Sequence, residues 1–133
     1  MALNNVHFIE KEVAATSLAS GANAVMTLPA QTVVMAAGVE VTEALAGATA
    51  LTFDLGTGAD DDEFVAAYAM AGQSAGATAP SLPGAAYIGS EDTLDITVDT
   101  LTGTATGGKL RVWAIICDVD GRDADEVDRD YLA

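Results

Sequence analysis

The sequence predicts an all-β domain, built as an antiparallel β-sandwich. Three observations predict it. Apolar and polar residues alternate with period two over several short stretches. Turn-forming residues separate those stretches. Aromatic residues make up only 5% of a chain that is 50% apolar. Apolar content built on alanine and valine fills a thin layer, which suits two close-packed sheets better than a ligand cavity.

The elements follow in order along the chain. Val6 to Ile9 has the pattern of an edge strand or an extended arm, and residues 1–20 together read as an N-terminal arm or edge strand. Val25 to Leu28 and Thr32 to Val39 read as two strands flanking a Pro29-Ala30 turn. Val39 and Val41 alternate with Glu40 and Thr42, and Leu51, Phe53 and Leu55 with Thr52 and Asp54. The pattern breaks after Leu55. Gly56, Gly58 and the run Asp60-Asp61-Asp62-Glu63 make a turn, and Phe64, Val65 and Tyr68 fall at helical spacing behind an acidic cap. A short helix is therefore expected there. Residues 72–84 are rich in Gly, Ala, Ser and Pro and read as a long loop.

The clearest strand is Thr93 to Asp99. Leu94, Ile96 and Val98 make one purely aliphatic face, and Thr and Asp make the other. Such a strand lies on a core with its second face in water. With the turn at residues 103–108, the stretch Asp92 to Asp118 reads as a hairpin. Lys109 to Asp118 is different. Leu110, Val112, Ala114 and Ile116 form one apolar face, and the opposite face carries Arg111, Trp113, Ile115 and Cys117. A strand apolar on both faces is central in its sheet or covered on its outer side. Trp113 is the best single candidate for a subunit contact, with a covering loop of the same chain as the alternative. Residues 21–120 then form the sandwich, with a jelly roll as one arrangement of its strands, and residues 121–133 form an acidic tail.

Charge narrows the partners. The 133 residues carry 20 acidic against 5 basic side chains, a net charge of −15. A field of that sign repels phosphate and an anionic membrane surface, so neither nucleic acid nor membrane is expected. The single cysteine, Cys117, allows no intrachain disulfide. No secretory signal is expected from the N-terminal residues, and no apolar run reaches membrane-spanning length.

No catalytic constellation assembles. His7, the only histidine, has no nucleophile nearby in sequence. Cys117 has no cation beside it to stabilise a thiolate. Two acidic clusters offer oxygen ligands for calcium: Asp60, Asp61 and Asp62 with Asp54 and Glu63, and Asp118 and Asp120 with Asp123, Asp125 and Glu126. The second departs from an EF-hand loop, because Gly121 comes too early and Arg122 stands at a ligand position. Solvated charge explains both runs equally, so no cofactor or metal is assigned. Gly56-Thr57-Gly58 lacks the Lys and Ser/Thr of a phosphate loop.

Thr27-Leu-Pro-Ala-Gln-Thr-Val-Val34, Val39-Glu-Val-Thr-Glu-Ala44, Leu51-Thr-Phe-Asp-Leu-Gly-Thr-Gly58, Gly84-Ala-Ala-Tyr87, Leu94-Asp-Ile-Thr-Val98 and the closing strand Lys109 to Asp118 stand in a familiar order. Over about residues 22–120 the chain resembles small β-sandwich virion proteins of tailed bacteriophages, of the capsid decoration (cement) type. The resemblance is one of style and order and carries no catalytic residue. It implies a non-enzymatic structural protein, made in the host cytoplasm. It also implies binding to the major capsid protein on the outer surface of the virion, as a homotrimer. Val6, Phe8 and Ile9 of the arm and Arg111, Trp113 and Ile115 of the late strand are the candidate interface residues. The alternative is a tail or head-fibre module that binds host glycan through the loop ending at Tyr87.

Overall fold

The computed structural model describes residues 5–119. The tail at 121–133 and the calcium candidate Asp120 lie outside the described residues. Eight strands form two four-stranded antiparallel sheets. They are β1 (Asn5–Ala14), β2 (Gly21–Leu28), β3 (Thr32–Ala46), β4 (Ala50–Gly56), β5 (Val65–Ala69), β6 (Ala86–Ile88), β7 (Asp92–Thr102) and β8 (Gly107–Asp118). Sheet A has the order β1-β8-β3-β6, and sheet B the order β2-β7-β4-β5.

The connectivity follows one rule. β1 pairs with β8, β2 with β7, β3 with β6 and β4 with β5. The chain is thus a long two-ply ribbon whose tip is the β4–β5 turn. Rolling that ribbon brings β8 against β3 and β7 against β4, which closes the two sheets. The alternating residues read from the sequence supply the filling. Leu51, Phe53 and Leu55 of β4, Leu94 and Ile96 of β7, and Leu110, Val112 and Ala114 of β8 are almost fully buried between the sheets.

Two sequence expectations are corrected. The stretch expected to be a short helix, Phe64 to Tyr68, enters the edge strand β5. Phe64 donates its N–H to the Leu55 carbonyl and Met70 donates to that of Leu51, so the segment zips onto β4. Phe64, Val65 and Tyr68 also fit a strand whose alternation is broken, and β5 is such a strand. Ala67 takes φ 50°, and the β4–β5 register slips between Phe53 and Leu55. The acidic run caps no helix: Asp60 accepts the N–H of Thr57 and Glu63 at its carbonyl, closing a turn. Among the described residues the helical element is instead one 3-10 turn, Ala15–Ser17. The second correction concerns Asp92 to Asp118. β7 and β8 are not a hairpin; they belong to opposite sheets, because β8 bonds to β1 and β3 while β7 bonds to β2 and β4.

The loop at residues 72–84 has no strand of its own until Ala86, yet it is stitched to β3. Gly76 and Ala79 donate to the Val41 and Val39 carbonyls, and Val41 donates back to Ala77.

One core group is poorly served. The Tyr68 ring packs edge-on against Phe53 at 5.6 Å, and its hydroxyl is buried without a hydrogen-bond partner. Burial accordingly pushes that hydroxyl's pKa up. A buried hydroxyl left unpaired costs on the order of 1–3 kcal/mol. Tyr68→Phe should therefore stabilise the fold by about 1 kcal/mol, read as an upward shift of the urea midpoint at unchanged slope.

Candidate functional site

The register of sheet A defines rows of side chains on its outer face. Val6, Cys117, Val33 and Tyr87 are mutual partners across β1, β8, β3 and β6. This row spans the whole sheet without a charge. The next row is Phe8, Ile115 and Ala36, with Met35 extruded at the β3 register slip between Val34 and Ala36. Then come Glu10, Trp113 and Gly38, and then Glu12, Arg111 and Glu40. The outer face thus grades along the strands from an apolar end to a charged end. Val6, Phe8, Met35 and Tyr87 are exposed at 60, 57, 48 and 62%. An exposed apolar row this wide is a candidate contact surface.

Trp113 sits at the boundary. Phe8 stacks on it with ring centroids 6.2 Å apart and planes 16° from parallel. The indole also lies over Gly38. A Cβ there would come within 2.6 Å of the indole ring and 2.8 Å of Ser81 Oγ. Strand and loop of the same chain therefore share in covering Trp113, which remains half-exposed.

The charged end is neutralised by pairing. Arg111 donates to Glu40 Oε1 at 3.1 Å, and Lys109 lies 4.0 Å from Glu43. Every Lys and Arg among the described residues is on sheet A, whereas the strands of sheet B carry none. The outer face of β7 presents Thr93, Asp95 and Thr97, with a 2.5 Å hydrogen bond from Thr93 Oγ1 to Asp95.

Of the interface candidates, Val6, Phe8, Trp113 and Ile115 share the apolar end. Arg111 lies in the charged row. Ile9 faces the other way, packed against the core. Sequence reading missed Val33, Met35, Ala36 and Tyr87. Val33 was available from β3 alternation, but Met35 and Ala36 lie at a bulge that alternation cannot anticipate.

The acidic candidates separate. The carboxylate oxygens of Asp60, Asp61 and Asp62 lie within 4.8 Å of one another in the β4–β5 turn, all exposed. Asp118 is at the far end of β8 in sheet A, opposite Asn5 and Thr32. His7 is exposed on β1, and Cys117 is half-buried in the apolar row, so neither joins the acids in a site.

Hydrogen bonding within the turn splits its acids. Bonds from Asp62 and Glu63 lower the pKa of Asp60, and the same bonds, with like-charge repulsion and slight burial, raise those of Asp62 and Glu63. Asp99 is raised by burial and by its bond with Asp54, the carboxylate that accepts the Ala67 N–H at 2.6 Å.

No known protein family and no curated protein matches the sequence. Two solved structures are similar. One is a chain of the cyanophage Pam1 capsid asymmetric unit, with a TM-score of 0.66, 23% identity and 86% of each chain covered. The other is a chain of the acidic stable capsid structure of Helicobacter pylori bacteriophage KHP30, with a TM-score of 0.61, 11% identity and 90% of each chain covered. At these identities the likeness is one of fold. The fold is thus one that occurs in bacteriophage capsids.

Two predictions follow from this geometry. Gly38→Ala forces the indole off β3 and should cost about 1–3 kcal/mol, as overpacking does. Fluorescence from the single tryptophan should shift to the red. The second concerns acid. Asp62, Glu63 and Asp99 hold protons more tightly folded than unfolded, so each stabilises at low pH and loses that contribution as pH rises through its folded value. Asp60 acts in the opposite sense, losing its contribution as pH falls below its ordinary value of 3.8. The thermal midpoint should therefore rise as pH falls from neutral through the raised folded values of Asp62, Glu63 and Asp99, and Asp99→Asn should flatten the rise.

Proposed function

We infer that the chain is a non-enzymatic structural protein of a bacteriophage virion, a decoration protein that binds and stabilises the head shell. The observation that carries this reading is the uncharged row Val6–Cys117–Val33–Tyr87 with Phe8 and Trp113 behind it. That row is a ready-made protein contact on a domain whose fold is shared with capsid chains of two phages. The rolled ribbon of eight strands supports a jelly-roll arrangement of the sandwich, a fold used in viral capsids.

The rest of the molecule supports the same role. Two close-packed sheets make a rigid body. Among the described residues the basic side chains are confined to sheet A, and the acidic turn and β7 face belong to sheet B. In this reading sheet A docks on the major capsid protein and sheet B faces solvent on the outer virion surface. The acidic exterior then repels neighbouring particles and keeps virions dispersed. On the shell a homotrimeric arrangement is expected, and several weak copies of one contact make strong attachment.

Heads purified without this protein, from the virus that encodes it, provide the test. Trp113→Ala and Tyr87→Glu should each reduce occupancy on those heads at least tenfold and lower the temperature at which packaged DNA is released. Asp95→Asn, on the opposite face, should bind as the parent does. Equal occupancy for all three variants sinks the proposed docking face.

A further inference from the structure

The four edge strands of the sandwich differ in a way that points to a second contact, one that does not depend on shell binding. An exposed edge carries unpaired backbone groups, and proteins blunt it with bulges, short strands or charge. Here β2 is bulged between Ala24 and Met26. β5 has five residues and a left-handed Ala67. β6 has three residues. β1 has ten residues, pairs with β8 without a register slip, and carries no acidic or basic side chain from Val6 to Ile9 except His7. Its charges, Glu10, Lys11 and Glu12, guard only the second half.

We propose that the first half of β1 is a strand-pairing edge for a second copy of this chain, in antiparallel register about a two-fold axis at His7. The sequence of β1 selects this register. If the outer faces of both copies stay on one side, the axis must pass through a residue. At Phe8 it sets Val6 against Glu10. At Ile9 it sets Phe8 against Glu10 and Val6 against Glu12. At Glu10 or Lys11 it sets acid against acid. At His7 it sets Val6 against Phe8 and Asn5 against Ile9, and no described residue of one copy faces a glutamate of the other.

The same register extends the apolar row. Tyr87, Val33, Cys117 and Val6 of one copy continue into Phe8 of the other. The acidic turn lies away from this edge, although the net charge is −15 and Asp118 stands opposite Asn5 beside it. β1 lies beside β2, whereas the Asp60–Glu63 turn enters β5, three strands away across sheet B. Three interstrand steps are about 14 Å, beyond the screening length of about 8 Å at physiological salt. Dimerisation should accordingly strengthen with added salt.

The test uses the full chain. Sedimentation velocity should show a reversible dimer that grows with protein and salt concentration. Val6→Glu puts a charge on the bare edge at an exposed position, so it should raise the dimer dissociation constant at least tenfold at unchanged thermal midpoint. In a Cys117→Ser background, His7→Cys should oxidise to a covalent dimer across the axis, and Glu10→Cys should not. A chain that is monomeric at every concentration overturns the proposal. So does an oligomer that Val6→Glu leaves intact, or one that Glu10→Cys cross-links as readily as His7→Cys.

Discussion

Strand β8 is hydrogen-bonded along both edges for almost its full length, to β1 from Asn5 to Ala14 and to β3 from Thr32 to Ala46. Its inner residues Leu110, Val112 and Ala114 are buried to completion, and its outer residues carry Trp113 and Ile115. Sheet A therefore exists because β8 is present: β1 touches β8 and nothing else in that sheet. The outer rows exist for the same reason, since each is centred on a β8 residue. Core, sheet and contact face are three consequences of one strand that is apolar on both sides.

That strand was also the most legible part of the sequence. Alternation located β3, β4, β7 and β8 and their inward residues, because burial between two sheets demands period two. Two errors share a cause. Phe64, Val65 and Tyr68 satisfy a helical spacing, yet the residues that decide their structure are Thr52 to Leu55, on another strand. Asp92 to Asp118 looks like a hairpin because its ends are close in sequence, whereas β8 finds its partners in β1 and β3, far away in the first part of the chain. Non-local pairing leaves no local trace. The same holds for the contact face: Trp113 was readable from β8 alone, but Tyr87 joins Val6 only through three successive registers.

The electrostatics of the two sheets are complementary in purpose. Sheet A holds Arg111 and Lys109, two of its three described basic residues, in cross-strand pairs with Glu40 and Glu43, which offsets part of the acid at its charged end. Sheet B concentrates acid in the Asp60–Glu63 turn and around Asp99, where hydrogen bonding, like-charge repulsion and slight burial raise the pKa of Asp62, Glu63 and Asp99. A strongly acidic protein thus retains one face on which close approach is not penalised.

The ribbon winding has a practical consequence. Asn5 and Asp118 are direct partners, so the chain enters and leaves the sandwich at one pole, beside the apolar row. The turns at residues 46–50 and 102–107 meet at the opposite pole, where Ala46 pairs with Gly107 and Ala50 with Thr102. Cargo joined directly before Asn5 or after Asp118 will crowd the apolar row. A peptide inserted in the turn after Thr102 will stand at the far pole, making that turn the natural position for carrying foreign sequence clear of the apolar row.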